Sequence, residues 1–413
     1  MVKGETDLCP QKYKKDFPKI AIIFPGPYLA GMSSLAFHAL RRHAQVHGNV
    51  SRFFIENNTP VSPDKAHWHD MDFFLFTFCY ESQCRIFENI SLLPGKPVMA
   101  GGPLVSTYPE YFRRNFNVSY RGDLTAEFFA GAFKQCGTAS GLVTAPARKT
   151  AEDSPECSSI IAAHTEFPDT FLIEISSGCT SSCAFCLVRA LYQPRIFFRK
   201  EKILSLLSEN ANYYGKVGLI APSVNEHPEI KSIMRWCLEH KKNISFSSIR
   251  LDRADEEFLE LYALSGQKSL SCAPETFAAR LQKKIGKNTD YNQYLKALRF
   301  LVSRGIASFK LYMLCGLPGE NDGDNMENIK TVLKLQQDLK TCGVQIRLGI
   351  SLNPLAPKPL TALAQSPLIG ETVYKKISAL YRRELAPAGI SFKAESYRAA
   401  ECQYAMAKKY SSV

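Results

Sequence analysis

The chain has no long apolar run. No stretch reaches the roughly 18 residues that cross a bilayer, and the opening Met-Val-Lys-Gly-Glu-Thr-Asp lacks the apolar core of a signal peptide. A cytoplasmic protein with no membrane partner is therefore expected. A dense basic arm is missing too. The formal charge is +12, but Lys and Arg are scattered and no basic run is interleaved with aromatics. Such a surface suits anionic cofactors, an acidic partner or RNA, and argues against a dedicated nucleic-acid binder. The first strand-to-helix turn holds no G-x-G-x-x-G, which argues against an NAD or FAD site. Thirteen cysteines, an odd number, without a secretion signal point to free thiols and cofactor ligands rather than disulfides.

What is present divides in two. A chain of 413 residues leaves room for two domains and an extension. Over residues 1–136, apolar strand candidates (Ile20–Phe24, Val50–Ile55, Phe73–Phe78, Pro97–Ala100, Val118–Arg121) alternate with helical stretches such as Ser33–His47 and Leu104–Asn115. Continuous apolar strands are those of a parallel sheet covered on both faces, so a Rossmann-like, doubly wound α/β domain is expected. Residues 137–168 have no clear period and read as a linker. From 169 to 365 the alternation resumes with six strands (Phe171–Ile175, Val217–Ala221, Ile244–Ile249, Ser269–Ala273, Phe309–Leu314, Gln345–Ser351), each but the last followed by a helix that precedes the next strand. Eight such units close a TIM barrel; six suggest an open, partial (β/α)6 barrel. Residues 366–413 read as a C-terminal α/β extension, with a helix near Glu371–Leu385 and a short strand at Ile390–Ala394.

Directly after the first strand of that second half comes Ser-Gly-Cys-Thr-Ser-Ser-Cys-Ala-Phe-Cys, placing Cys179, Cys183 and Cys186 in a CxxxCxxC spacing with Phe185 before the last cysteine. Three thiolates can hold three irons of a 4Fe–4S cubane and leave the fourth open. A zinc knuckle is the competing reading, but structural zinc takes four ligands and no His or further Cys follows within 40 residues. The run resembles the signature of the radical SAM enzymes, in which the open iron is chelated by S-adenosylmethionine.

Active sites of α/β barrels lie at the C-terminal strand ends, and each strand end here carries polar or glycine residues. The resemblance makes several of them candidates for binding S-adenosylmethionine, beside Phe185. Ser223 ends the second strand. Ser248 and Arg250 alternate at the third, where Arg250 could fork onto a carboxylate or pair with Asp252 or Glu275. Glu275 ends the fourth and could accept from ribose hydroxyls or cap a helix. Gly316 and Leu317 open the Gly-Leu-Pro-Gly-Glu run after the fifth, which closely resembles the same family. Tyr312 on that strand is a candidate catalytic hydrogen donor, with a core tyrosine as the competing reading; Lys310 shares its face.

The first domain resembles the cobalamin-binding domain that precedes the barrel in one class of these enzymes. The resemblance rests on Phe-Pro-Gly-Pro-Tyr-Leu-Ala-Gly, on Met-Ala-Gly-Gly-Pro and on Arg-Gly-Asp-Leu-Thr-Ala-Glu. It nominates Tyr28, Leu29, Gly31, Gly101, Gly102, Gly122 and Glu127 as cobalamin-binding residues. The histidine motif Asp-x-His-x-x-Gly is missing from the first βα loop, so a cobalamin here should lack that axial ligand.

The resemblance implies a cobalamin-dependent C-methyltransferase with three cofactors: a 4Fe–4S cluster, S-adenosylmethionine and cobalamin. A 5′-deoxyadenosyl radical would attack an unactivated carbon of a protein, peptide or small molecule. A reductase or ferredoxin-type protein would donate the electron. One alternative is a cobalamin-free radical enzyme of rearrangement, oxidation or tRNA methylthiolation, although only Cys9, Cys79 and Cys84 could serve the second cluster of a methylthiolase. The other is a non-enzymatic iron–sulfur scaffold or sensor.

Overall fold

The computed structural model describes residues 4–121, 131, 141–144 and 149–410. The chain divides into two units: residues 1–175 with 196–218 and 408–413, and residues 176–195 with 219–407. Among the described residues, no helix is long and apolar enough to cross a membrane.

The first unit is built on strands β1 (Glu5–Asp7), β2 (Lys19–Phe24), β3 (Asn49–Glu56), β4 (Thr59–Val61), β5 (Phe73–Thr77), β6 (Val98–Gly101), β7 (Val118–Arg121), β8 (Gly141–Thr144), β9 (Ile160–Ala162) and β10 (Thr170–Glu174). Seven of them form one sheet in the order β4-β3-β2-β5-β6-β7-β8. It is parallel except for the edge strand β4. Ile20, Ala21, Ile22 and Ile23 of β2 are fully buried, as a central strand covered on both faces requires. The chain moves one way from β2 to β3 and the other way from β5 onward. The topological switch point, where ligands bind in such sheets, therefore lies at the C-terminal ends of β2 and β5.

Three local departures from the expected pattern have clear causes. The stretch expected as one helix over Leu104–Asn115 is two, Pro103–Thr107 and Pro109–Asn115; Pro109 cannot donate the hydrogen bond that would carry the first into the second. Gly141–Thr144, read above as linker, extends the sheet as β8. Ile160–Ala162, also in that stretch, pairs antiparallel with Glu5–Asp7. That pairing is locked by ions: Arg41 forks onto Asp7 at 2.9 and 2.6 Å, and the buried Arg52 forks onto Glu5 at 2.7 and 3.0 Å.

In the second unit and at its margins lie the two-residue strands β11 (Ser176–Ser177) and β12 (Ile196–Phe197), then β13 (Lys216–Ile220), β14 (Asn243–Phe246), β15 (Leu270–Glu275), β16 (Ser308–Cys315), β17 (Arg347–Pro354) and β18 (Ser391–Ala394). Strands β15 to β18 form a four-stranded parallel sheet. The short strand expected in the C-terminal extension thus joins this sheet rather than standing outside it. Phe309, Leu311, Met313 and Cys315 of β16 are buried on one face, and Leu348, Ile350 and Leu352 of β17 on the same face. The other face of β16 carries Lys310, Tyr312 and Leu314.

Candidate active site

The loop after β11 carries the three cysteines, and it is tied down at several points. Gly178 sets its start at φ +76°, with a Cβ there colliding with the Tyr192 carbonyl. Gln193 donates to the Cys179 carbonyl at 2.6 Å. The Ala184 amide donates to Ile285 at 2.8 Å, and the Leu363 amide donates to Ala184 at 3.2 Å. Arg250 donates to the Ser181 hydroxyl at 2.9 Å. Cys186 stands at the start of the short helix Leu187–Leu191.

All three thiols are part-exposed. Burial pushes the Cys183 and Cys186 thiols up, and charge on their neighbouring cysteines adds to this, while Lys287 pulls them down. Cys183 and Cys186 thus both sense Lys287 and the charge of Cys179. Among the described residues, no three His, Cys, Asp or Glu converge so as to hold a single metal ion. A cubane asks for a different donor set, one thiolate to each of three irons. Three part-exposed cysteines on one pinned loop fit that set. Cys9, Cys79 and Cys84 do not share one loop: Cys9 follows β1, Cys79 follows β5, and Cys84 is buried in the helix Glu81–Glu88.

Around this loop the candidate S-adenosylmethionine residues fall into two groups. Phe185 and Leu317 share an apolar cluster with Ala278, Leu281, Ile285, Leu355 and Leu363. Gly316 starts the turn at φ +76°, and the Leu317 amide donates to Glu320 at 2.8 Å. Ser223, Ser248 and Arg250 form the second group. The Val224 amide donates to the Ser248 carbonyl at 2.9 Å, and Asn225 brackets the Arg250 backbone, accepting at 2.8 Å and donating at 2.9 Å. Ser223 is buried, and Ser248 is exposed. The alternation expected of Ser248 and Arg250 on a strand does not occur, because β14 ends at Phe246. There the Ser247 hydroxyl takes over, donating to the Ala221 carbonyl at 2.8 Å and accepting from its amide at 2.9 Å.

Of the partners open to Arg250, the structure selects Asp252, at 2.9 and 2.6 Å; those hydrogen bonds hold the guanidinium firmly charged. Glu275 sits at φ +65° and pairs with Lys287 at 2.9 Å. Burial pushes its carboxyl up, and Lys287 partly offsets this. Its turn is fixed by Asn328, whose buried Oδ1 accepts from the Phe277 and Ala278 amides at 2.6 and 3.1 Å. Sequence reasoning missed both Lys287 and Asn328, because neither belongs to a spaced motif. A polar cleft of about 430 Å³ opens beside the cysteine loop, lined by Thr180, Ser181, Arg250, Asp252 and Asp290 among others; its size admits a small ligand. Tyr312, whose competing reading was a core tyrosine, is 36% exposed, with Lys310 Nζ 4.5 Å from its ring centre.

In the first unit, Tyr28 and Leu29 follow β2 at the switch point. Tyr28 donates to Glu5 at 2.5 Å and Leu29 is exposed. Gly31 is buried tightly against Phe54 and Phe24. Gly101 ends β6, and Gly102 turns at φ +106° against the Phe78 backbone. Gly122 and Glu127 lie outside the described residues. The exposed Tyr80, after β5, also stands at the switch point. It was not singled out from the sequence, although the switch-point rule reaches it once strand order is known.

Residues 173–332 match the Radical SAM superfamily. An uncharacterized protein of Methanocaldococcus jannaschii is 28% identical over 95% of this chain and 89% of its own length. The solved radical S-adenosylmethionine methyltransferase TsrM of Kitasatospora setae superposes with a TM-score of 0.59 at 14% identity, over 87% of this chain and 76% of that one. The cobalamin-dependent S-adenosylmethionine radical enzyme OxsB gives a TM-score of 0.53 at 13% identity, over 90% and 62% of the two chains. Residues 173–332 thus carry a radical SAM domain. The fold of the chain, a Rossmann-like domain followed by the radical SAM domain, is similar to those of TsrM and OxsB.

Proposed function

We propose that the chain is a cobalamin-dependent radical SAM C-methyltransferase, acting on an unactivated carbon of a peptide, protein or small molecule. The observation that carries this is the trio Cys179, Cys183 and Cys186, part-exposed on one pinned loop in a chain whose fold over 87% of its length is that of TsrM. When bound, the three cofactors supply an adenosyl radical and a methyl group. The protein's part is placement. The three thiolates would hold the cluster, and Phe185 and Leu317 offer an apolar wall beside it. Gly316, Ser223, Ser248, Arg250 and Glu275 remain the candidate contacts for S-adenosylmethionine. Arg250 reaches the loop through Ser181, so its first role is to orient that loop. Tyr28, Leu29, Gly31, Gly101, Gly102, Gly122 and Glu127 are the proposed cobalamin contacts. A reductase or ferredoxin-type protein is the proposed electron donor, and the cell interior the proposed location.

Two measurements test this. Anaerobic reconstitution should load about four irons and four sulfides per chain, the content of one cubane, and the triple Cys179→Ala, Cys183→Ala, Cys186→Ala variant should load none. Iron retained by that variant refutes the ligand assignment. Purification with a cobalamin source should give corrin absorbance; a colourless enzyme that still consumes S-adenosylmethionine would move the reading to cobalamin-free radical chemistry.

A further inference from the structure

In a closed barrel the inward side chains pack into layers and fill the centre. The inner face of this sheet does not. Register places Ser271, Lys310, Gly349 and Ser391 side by side on β15 to β18, and Tyr312, Ser351 and Lys393 side by side in the row nearer the strand ends. Ser271, Tyr312 and Lys393 are exposed, so this face is polar and open where the opposite face is apolar and covered.

Its charge is lopsided. The Lys393 ammonium pairs with Glu395 at 3.0 Å, and Glu395 also accepts from the buried Ser351 hydroxyl at 2.6 Å. Lys310 has no such partner: among the described residues no carboxylate lies within 4 Å of its ammonium, which instead rests 4.5 Å from the centre of the Tyr312 ring. That aromatic contact lifts the ammonium toward the active-site end of the strands and leaves its N–H groups without an anion. The Ser351 hydroxyl first, then Lys393, and least of all the more distant Lys310, hold the Glu395 carboxyl below the usual carboxylate range. Glu395 is thus already engaged, and two cations face one anion.

We propose that this inner face is the substrate-binding surface for an oxyanion, a carboxylate or a phosphate ester on the substrate, with Lys310 as its counter-charge and Lys393 at the rim. The assignment of that anion to the substrate rests on the radical SAM reading. An ammonium held by an aromatic ring and lacking a carboxylate can pair with an incoming anion without first breaking an ion pair. The open polar row leaves room for the rest of the molecule.

The test uses the full-length protein without cofactors, so it is independent of cluster loading and turnover. Acylation of each lysine by a succinimidyl ester is timed by mass spectrometry in chloride, in inorganic phosphate and in succinate at equal ionic strength. Labelling of Lys310 should slow several-fold in phosphate, in succinate or in both, while Lys296, with a side chain 76% exposed on a distant helix face, is unaffected. Slowing by one anion alone identifies its chemical class as the substrate's. Lys393→Gln should weaken the protection. Equal labelling of Lys310 in all three salts, relative to Lys296, overturns the proposal. Intact protection with failed cluster loading would overturn only the function proposed above.

Discussion

His38 shows how much a single residue's meaning depends on its surroundings. In sequence it is one of two histidines on the helix after the first βα loop, away from the position a cobalamin ligand would occupy. In the structure its Nδ1 accepts from the Ser159 amide at 3.2 Å and its Nε2 donates to the Met32 carbonyl at 3.0 Å. The ring is therefore neutral, and a proton added at Nδ1 would face an N–H. Burial, with smaller contributions from Arg42, Arg41 and Arg52, lowers its pKa from 6.5 to about 4. The sign follows from linkage. The unfolded chain takes up a proton below pH 6.5 that the folded chain refuses until about pH 4, so stability present above 6.5 is lost as pH falls through that window. The loss approaches about 3 kcal/mol at its acid end. In a Trp236→Phe background, Trp68 alone reports the first unit. Urea unfolding there should lose stability between pH 6.5 and 4.5 more steeply than in the same background with His38→Gln. Equal slopes would show that His38 is not the titrating group. Other residues were legible without any structure: the three cysteines and Phe185 declare themselves by spacing. Lys287 and Asn328 do not, because their partners, Glu275 and the turn after it, are 12 and about 50 residues away.

At the scale of elements, the periods of the sequence placed helices well where a cap marks the end. The helix Tyr291–Ser303 starts where Asp290 accepts from the Gln293 amide; Glu371–Leu385, without a side-chain cap, still runs as its apolar period indicates. The helix Asp322–Lys340 opens with a reciprocal capping box, Asn321 accepting from the Asp324 amide at 3.1 Å and Asp324 accepting from the Asn321 amide at 2.8 Å. Asn321→Ala should lower the stability of the second unit by about 1 kcal/mol, read from Trp236 fluorescence in a Trp68→Phe background; an unchanged midpoint would mean that the cap is solvent-replaced. Elements were misjudged where a side chain replaced a backbone partner. The stretch Ile244–Ile249 reads as one strand, yet Ser247 satisfies Ala221 with its hydroxyl and the strand stops early. Arg250 consequently leaves the strand face and turns to Asp252 and Ser181.

For the molecule as a whole, the two-part βα rhythm, the apolar strands and the cysteine loop are legible locally along the chain, because periodicity and cap residues act over a few positions and the three cysteines lie within eight. From these the radical SAM class was readable. The tertiary structure decided which strands are neighbours. It added Gly141–Thr144 and Ser391–Ala394 to parallel sheets and paired the N-terminal strand with Ile160–Ala162. It also decided which face of β16 stays open, setting the part-exposed Lys310 against the exposed Tyr312 ring on that face. The reason is physical. Strand order and the pairing of buried charges are set by hydrogen bonds and ion pairs between residues tens to more than a hundred positions apart, and no local pattern encodes them.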